Sequence, residues 1–375
     1  MRYGGTIVSV HGLCRALARR GHDVHVYTTS VNGPGDSPVP HGEAVDVDGV
    51  KVWYFQSQTA RRVYYAPPLS AMLRAHVGDF AVVHTHAIYL WPLWAAARRA
   101  YDAGVPYVVS PRGMLEKELL ERKSLLWKAA LIGFIEKQTL ERAAAIHVTS
   151  RREAAAAAAF GFALPPMYEI PNGVDFDRAG GVVSEAIEAA NAAGPYALFL
   201  GRINWKKGLD RLIRALAHAP GVRLVLAGND EEGYRAALDR LAAEVGVAER
   251  ITYTGSVDGA DKARLLKSAR LLVLPSYSEN FGNVVLEAMA AATPVIVTPE
   301  VGVADLVRES GTGLVVDGEP FQLGDALQRL WDDGERRAAM GGRGPAWALE
   351  HCSWDAVAAR MEQLYTRVTA GRPAC

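Results

Sequence analysis

The sequence predicts an α/β protein built from two open parallel sheets, one in each half of the chain. Three observations carry this prediction. Short β-branched apolar runs alternate with longer helical patterns from end to end, the alternation restarts after Asn191-Ala192-Ala193-Gly194-Pro195, and 375 residues exceed what one hydrophobic core usually supports. Half of the residues are hydrophobic and 22% are charged, as in an ordinary folded chain.

Along the first half, the strands read as residues 23–29, 50–56, 80–86, 106–111, 144–150 and 167–173. An amphipathic helix opens at the pair Gly4-Gly5 and is ended by Gly21. The string Asp46-Val47-Asp48 has the form of a metal-binding D-x-D, but Gly49 follows it and strands flank it, so it reads as a hairpin turn. The alanine run 154–159 reads as helix. Glycines and Pro195 punctuate a polar connector near 174–195, which gives domains at 1–180 and 190–350; within 351–375 a last helix is expected to cross back toward the first domain. In the second half the strands read as YALFLG, VRLVLAG, ITYTG, LLVLPS, PVIVTP and GLVV. Open parallel sheets bind ligands at the carboxyl ends of their strands, so the ligand is expected in a cleft between the two sheets.

Lysine plus arginine equals aspartate plus glutamate, 41 each, and no global field draws the chain to nucleic acid or an anionic membrane. Cys14, Cys352 and Cys375 are odd in number and far apart, which fits a reducing compartment rather than a disulfide framework. No charged leader with an apolar block opens the sequence, and no run reaches the ~20 apolar residues of a membrane span, so a cytoplasmic location is expected. Neither a P-loop nor a G-x-G-x-x-G after a strand is present.

Four constellations can carry chemistry. In FLGRINWKKG a strand ends at Gly201 and a helix begins near Gly208, leaving Arg202, Lys206 and Lys207 at the junction, where paired cations and helix N–H groups suit a diphosphate. In SYSENFGNVVLEAM the loop from Ser276 to Gly282 leads into a helix for which Asn283 is a candidate cap. Glu279 in that loop and Glu287 in the apolar helix must find donors or stay wet: sugar and ribose hydroxyls are suitable donors, the plain alternative being a turn residue and an exposed helix carboxylate, while the N–H groups of Asn280, Phe281 and Gly282 suit a phosphate or hydroxyl. In VVHTHAIY, His84 and His86 project from one face of a strand, but no further ligand stands near enough for zinc; His84 reads as structural and His86 as the functional candidate. Gly5, finally, lets a backbone amide approach a phosphate, although such glycine pairs are as often plain turns.

Together these segments resemble the retaining glycosyltransferases of family four, whose GT-B fold consists of two facing Rossmann-like domains, and the resemblance covers nearly the whole chain. Glu279 to Glu287 resembles the family's E-x7-E motif and GRINWKKG its donor-phosphate loop; SPRGML at 110–115 and IPNGVD at 170–175 resemble further family segments. The resemblance implies retaining transfer of a hexose, without metal or cofactor, from a UDP- or GDP-linked donor to a glycan or lipid-linked saccharide of the cell envelope. It implies that Arg202 and Lys207 bind the diphosphate, Glu279 the transferred sugar and Glu287 the ribose, with backbone contacts from Asn280, Phe281 and Gly282. His86 would sit beside the sugar's 6-hydroxyl and the reacting centre, and Gly5 would approach the phosphate from the first domain.

Two features depart from the family pattern. The family has an apolar strand before the glycine pair, whereas Met1, Arg2 and Tyr3 precede it here, which reads as a misassigned or truncated start. Ala292 stands where the family has glycine after the E-x7-E helix, and a left-handed alanine costs about 1 kcal/mol. The most individual stretch is 114–140, where basic and apolar residues suit either peripheral membrane contact or, the favoured reading, a helix packed on the sheet with a solvated edge that includes Glu136. The alternatives to a transferase are a truncated, non-catalytic nucleotide-sugar-binding protein and a nucleotide-sugar epimerase.

Overall fold

The computed structural model of the chain describes residues 5–115, 126–176, 180–230 and 232–370. They fall into two units, Met1–Asn172 with Trp354–Cys375 and Gly173–Ser353. The division lies ahead of the connector read from the sequence at 174–195, because Val174 already pairs within the second unit: its N–H donates to the Cys352 carbonyl at 2.8 Å.

The first unit opens with α1 (Gly5–Arg19), which Gly21 ends in a left-handed conformation at φ 93°. A sheet of β1 (His25–Thr29), β4 (Ala44–Val47) and β5 (Val50–Phe55) follows, in the order β1-β5-β4. β2 (Val31–Asn32) and β3 (Gly35–Asp36) pair separately as a small hairpin. Asp48 and Gly49, both at positive φ, close the antiparallel β4–β5 hairpin, so the D-x-D string is the turn it was expected to be.

After α2 (Pro67–His76) comes a second sheet, in which β6 (Val83–His86), β7 (Tyr107–Ser110), β8 (Ala145–Val148) and β9 (Met167–Glu169) run parallel in chain order. Among the described residues no strand joins the two sheets, and Met1–Gly4 lie outside those residues. The helices α3 (Trp91–Asp102), α4 (Leu126–Glu141) and α5 (Arg151–Ala158) connect the second sheet's strands, with the last taking in most of the alanine run. The solvated edge expected for 114–140 needs correcting at Glu136. This carboxylate is 1% exposed and accepts hydrogen bonds from Trp94 Nε1 at 2.6 Å and from the Tyr89 N–H at 3.1 Å, because α4 turns this face onto α3. Residues 116–125 of that stretch lie outside the described residues.

The second unit is one six-stranded parallel sheet in the order β12-β11-β10-β13-β14-β15. Its strands are β10 (Ala197–Leu200), β11 (Leu224–Ala227), β12 (Ile251–Gly255), β13 (Leu271–Leu274), β14 (Val295–Val297) and β15 (Gly313–Val315). The central strands are apolar at every position because helices cover both faces. Those helices are α6 (Glu185–Ala192), α7 (Leu209–Leu216), α8 (Arg235–Val245), α9 (Gly259–Ser268), α10 (Asn283–Ala290), α11 (Ala304–Ser310), α12 (Pro320–Asp332) and α13 (Gly334–Cys352). Ala292, just past α10, sits at φ 60°, the left-handed alanine anticipated from its place after the helix.

The final helix, α14 (Trp354–Thr369), belongs to the first unit and packs on α1. Gly12 is required there, since any Cβ would run into the Trp354 indole, and Arg20 makes a bidentate pair with Glu362 at 2.6 and 2.7 Å.

Candidate active site

In the second unit the chain builds β10, β11 and β12 outward in one direction, then returns to the other side of β10 for β13, β14 and β15. The switch point of the sheet therefore lies between β10 and β13, and connections leaving it part to opposite sides, opening a crevice at the strands' carboxyl ends. The loops that follow these two strands are residues 201–208 and 275–282. These are the two segments singled out in the sequence as candidates for a donor site, and topology brings them together.

The contact between them is built from backbone and side chains. Gly208, left-handed at φ 65°, ends the first loop against the Pro275 carbonyl, leaving no room for a Cβ. The Tyr277 N–H donates to the Lys206 carbonyl at 2.8 Å, and Tyr277 Oη donates to Asp210 at 2.8 Å beneath the stacked Arg211 guanidinium. Lys207 Nζ then reaches the Glu279 carboxylate in a tight, largely buried ion pair. The Glu279 peptide is clamped in turn, donating to the Glu300 carbonyl at 3.2 Å and accepting from the Gly302 N–H at 3.0 Å. Arg202 is exposed two residues after β10.

Gly282 caps α10 at φ 97°, a conformation that favours glycine, so the expected cap at Asn283 is corrected: Asn283 is the first helical residue. The N–H groups of Phe281 and Gly282 make no hydrogen bond among the described residues, which leaves donors at a helix N-terminus beside Glu279. Glu287 lies one turn into α10 and pairs with Lys262 of α9 at 2.6 Å. Sequence reasoning missed Lys262. Nothing in the spacing of α9 and α10 marks their approach, and a lysine in an amphipathic helix reads as solvated.

His86 and Gly5 belong to the first unit. His86 ends β6, and its partner in register is Ser110 of β7. His84, two residues earlier, has both ring nitrogens engaged, with Tyr365 Oη at 2.8 Å and Ser110 Oγ at 3.2 Å. Burial pushes His84 and His86 well below the ordinary imidazole range and pushes His147, beside them on β8, down to about 3. Gly5 is the first residue of α1, and its carbonyl accepts from Ser9 Oγ at 2.8 Å. Arg112 stands in the sequence only as part of SPRGML, yet its part-buried guanidinium touches His86. Among the described residues no group of three or more His, Cys, Asp or Glu is placed to hold a metal ion. No helix there is long and apolar enough to cross a membrane.

The comparison with known proteins agrees with this architecture. Residues 3–178 match the model of Glycosyltransferase Family 4 and residues 184–347 that of Glycosyl transferases group 1. The chain belongs to the family 4, group 1 glycosyltransferases. It is 30% identical to the D-inositol 3-phosphate glycosyltransferase of Xylanimonas cellulosilytica, over 99% of this chain and 93% of that one. Among solved structures, this glycosyltransferase is similar to sucrose-phosphate synthase from Thermosynechococcus elongatus, with a TM-score of 0.76, 25% identity and coverage of 98% and 94% of the two chains. HepE of Anabaena, solved with UDP and glucose, shares the fold at a TM-score of 0.73 and 18% identity, covering 97% of this chain and 96% of its own. The fold class is therefore GT-B, as the resemblance implied, and membership of the family decides against the epimerase.

Proposed function

We propose that this glycosyltransferase transfers a hexose from a UDP- or GDP-linked donor to a glycan or lipid-linked saccharide of the cell envelope, with retention at the anomeric carbon and without a metal ion. The observation that carries the donor assignment is the Lys207–Glu279 pair at the switch point of the second sheet. Departure of a nucleoside diphosphate builds negative charge, which fixed cations stabilise best when they are preorganised in a water-poor site. Lys207 and Arg202 are the cations of the donor loop, and the N–H groups at the start of α10 add dipolar stabilisation. Lys207 and Lys262 neutralise the two carboxylates. With donor bound, sugar hydroxyls replace one partner of Glu279 and ribose hydroxyls one partner of Glu287.

The acceptor side of the proposal rests on the family resemblance; the relative named D-inositol 3-phosphate glycosyltransferase carries a different acceptor in its name. Peripheral membrane contact through 114–140 is part of the same proposal, and flotation with anionic liposomes at low salt tests it; retention in the soluble fraction removes it. The function as a whole is tested by a thermal-shift screen against UDP- and GDP-hexoses, followed by NMR of the product in EDTA. One donor should raise the melting temperature selectively and yield a product of unchanged anomeric configuration. Inversion or a strict need for added metal would overturn the mechanism, and stabilisation by a donor without transfer or hydrolysis would favour the non-catalytic binding protein.

A further inference from the structure

The first unit holds a polar cluster that the donor residues do not use. Arg112 lies two residues beyond β7 in a left-handed conformation, φ 56°, uncommon for a residue with a side chain. This turn sends its guanidinium back over the strand ends, where Nη2 lies 3.0 Å and Nε 3.4 Å from His86 Nδ1, and Nη1 donates to Asn172 Oδ1 at 2.7 Å. The conformation is held from outside: Glu153 accepts the Gly113 N–H at 2.6 Å while its other oxygen accepts from Thr149 N and Oγ1, both at 2.7 Å.

The proton positions around His86 follow from donor and acceptor inventory alone. A guanidinium has only donors, so His86 Nδ1 accepts and the ring carries its proton on Nε2. A second chain fixes the neighbouring rings. His147 Nε2 faces the Ile170 carbonyl at 2.9 Å and must donate, which leaves Nδ1 to accept from Ser110 Oγ at 2.5 Å. Ser110 Oγ, having given its proton, accepts from His84 Nε2 at 3.2 Å, and His84 Nδ1 accepts from Tyr365 Oη at 2.8 Å. With both rings neutral, the side-chain hydrogen bonds run one way from Tyr365 to Ile170, the Ser110 hydroxyl lying also 3.2 Å from the His147 carbonyl, and neither His84 nor His147 changes tautomer singly. The His84 ring packs against that of His86 at 4.2 Å between centroids, so His86 is bounded by a cation on one side and a tautomer-locked imidazole on the other. His86 is only partly buried, and its Nε2 makes no hydrogen bond among the described residues.

We propose that Arg112 is a positioning residue that locks His86 as a neutral Nε2–H donor, aimed at an oxygen of the bound substrate. His86 then acts as a fixed hydrogen-bond donor and carries no proton through the reaction. The identity of that oxygen as a substrate hydroxyl rests on the function proposed above; the lock itself does not.

The test is long-range 1H–15N NMR of the full chain labelled at histidine, with His86 assigned from the spectrum of His86→Gln. Wild type should show His86 protonated at Nε2 and bare at Nδ1, and Arg112→Met should shift it to a mixture of tautomers. Arg112→Lys, which retains a donor, should restore the wild-type pattern. In kinetics, Arg112→Met should lower kcat by roughly tenfold or more at nearly constant donor KM, the scale on which partners that orient ligand histidines act, with partial rescue by lysine. An Nδ1–H tautomer or an imidazolium at His86 in wild type overturns the proposal, as does a tautomer unaffected in a folded Arg112→Met protein. If that variant does not fold, the wild-type spectrum and that of Asn172→Ala, which removes the partner of Nη1, decide. An Nε2–H tautomer in a chain that transfers no sugar would count against the proposed function alone, whereas an active enzyme with the other tautomer would count against the lock alone.

Discussion

Lys207 and Glu279, 72 residues apart in sequence, meet as an ion pair at the point where the second sheet reverses its strand order. One comes from the loop after β10 and the other from the loop after β13, so the pair exists only because those strands are neighbours. Its burial makes it a preorganised charge arrangement rather than a surface contact.

Lys207→Ala should reduce kcat by roughly a hundredfold or more, the scale on which removal of one preorganised donor acts elsewhere. The loss should exceed any rise in donor KM, because leaving-group charge is greatest in the transition state. Steady-state kinetics with the donor found by screening provide the check; wild-type turnover would remove Lys207 from the mechanism.

Glu287→Ala should act mainly on binding. Hydrogen bonds from a ribose to a carboxylate are worth about 1.5–3 kcal/mol each, so donor KM should rise by roughly ten- to a hundredfold with a smaller change in kcat. Unchanged donor KM would dissociate Glu287 from the nucleotide.

Stability should fall on mild acidification. His84, His86 and His147 are held neutral by burial, with folded-state values below the unfolded imidazole value, so below about pH 6.5 the unfolded chain binds protons that the folded chain does not. Their contribution is fully present above that pH and is lost as pH falls, at up to about 1.4 kcal/mol per pH unit for each histidine. Urea titrations between about pH 8 and 5 measure this slope, and His147→Gln should reduce it by one histidine's share. A flat profile over that range would contradict the neutral state of the three rings.

Ala292→Gly should stabilise the second unit by about 1 kcal/mol, since glycine meets no Cβ penalty at φ 60°. The Ala292 carbonyl packs against Gly341, a backbone contact that the substitution leaves in place. Thermal unfolding gives the answer; a lower melting temperature would mean that the alanine methyl makes a contact worth more than the strain.

What the sequence disclosed depends on how local each signal is. β13 is four apolar residues buried on both faces, and a run such as LLVL announces that directly. Glu279 and Glu287 were legible because they stand within one loop and the helix it feeds, where an apolar background makes a carboxylate conspicuous. β2 and β3 are two residues each, too short for any period to register. Lys262 and Arg112 were hidden for a different reason. Each acts through a residue brought near by tertiary packing, and Arg112 reaches His86 only through a left-handed turn that its residue type disfavours. The cap of α10 falls one residue earlier than expected because asparagine is a good cap in general, while the left-handed conformation at φ 97° favours glycine at that position.

The central claim is that the second unit grips a nucleotide-sugar through Arg202, Lys207, Glu279 and Glu287, and titration calorimetry with UDP- and GDP-hexoses tests it most directly. Wild type should bind one donor series saturably with one site per chain, and Lys207→Ala should weaken that binding by at least about tenfold, the loss of one charge-assisted contact. Failure of every donor to bind, or equal affinity of wild type and Lys207→Ala for the same donor, would contradict it.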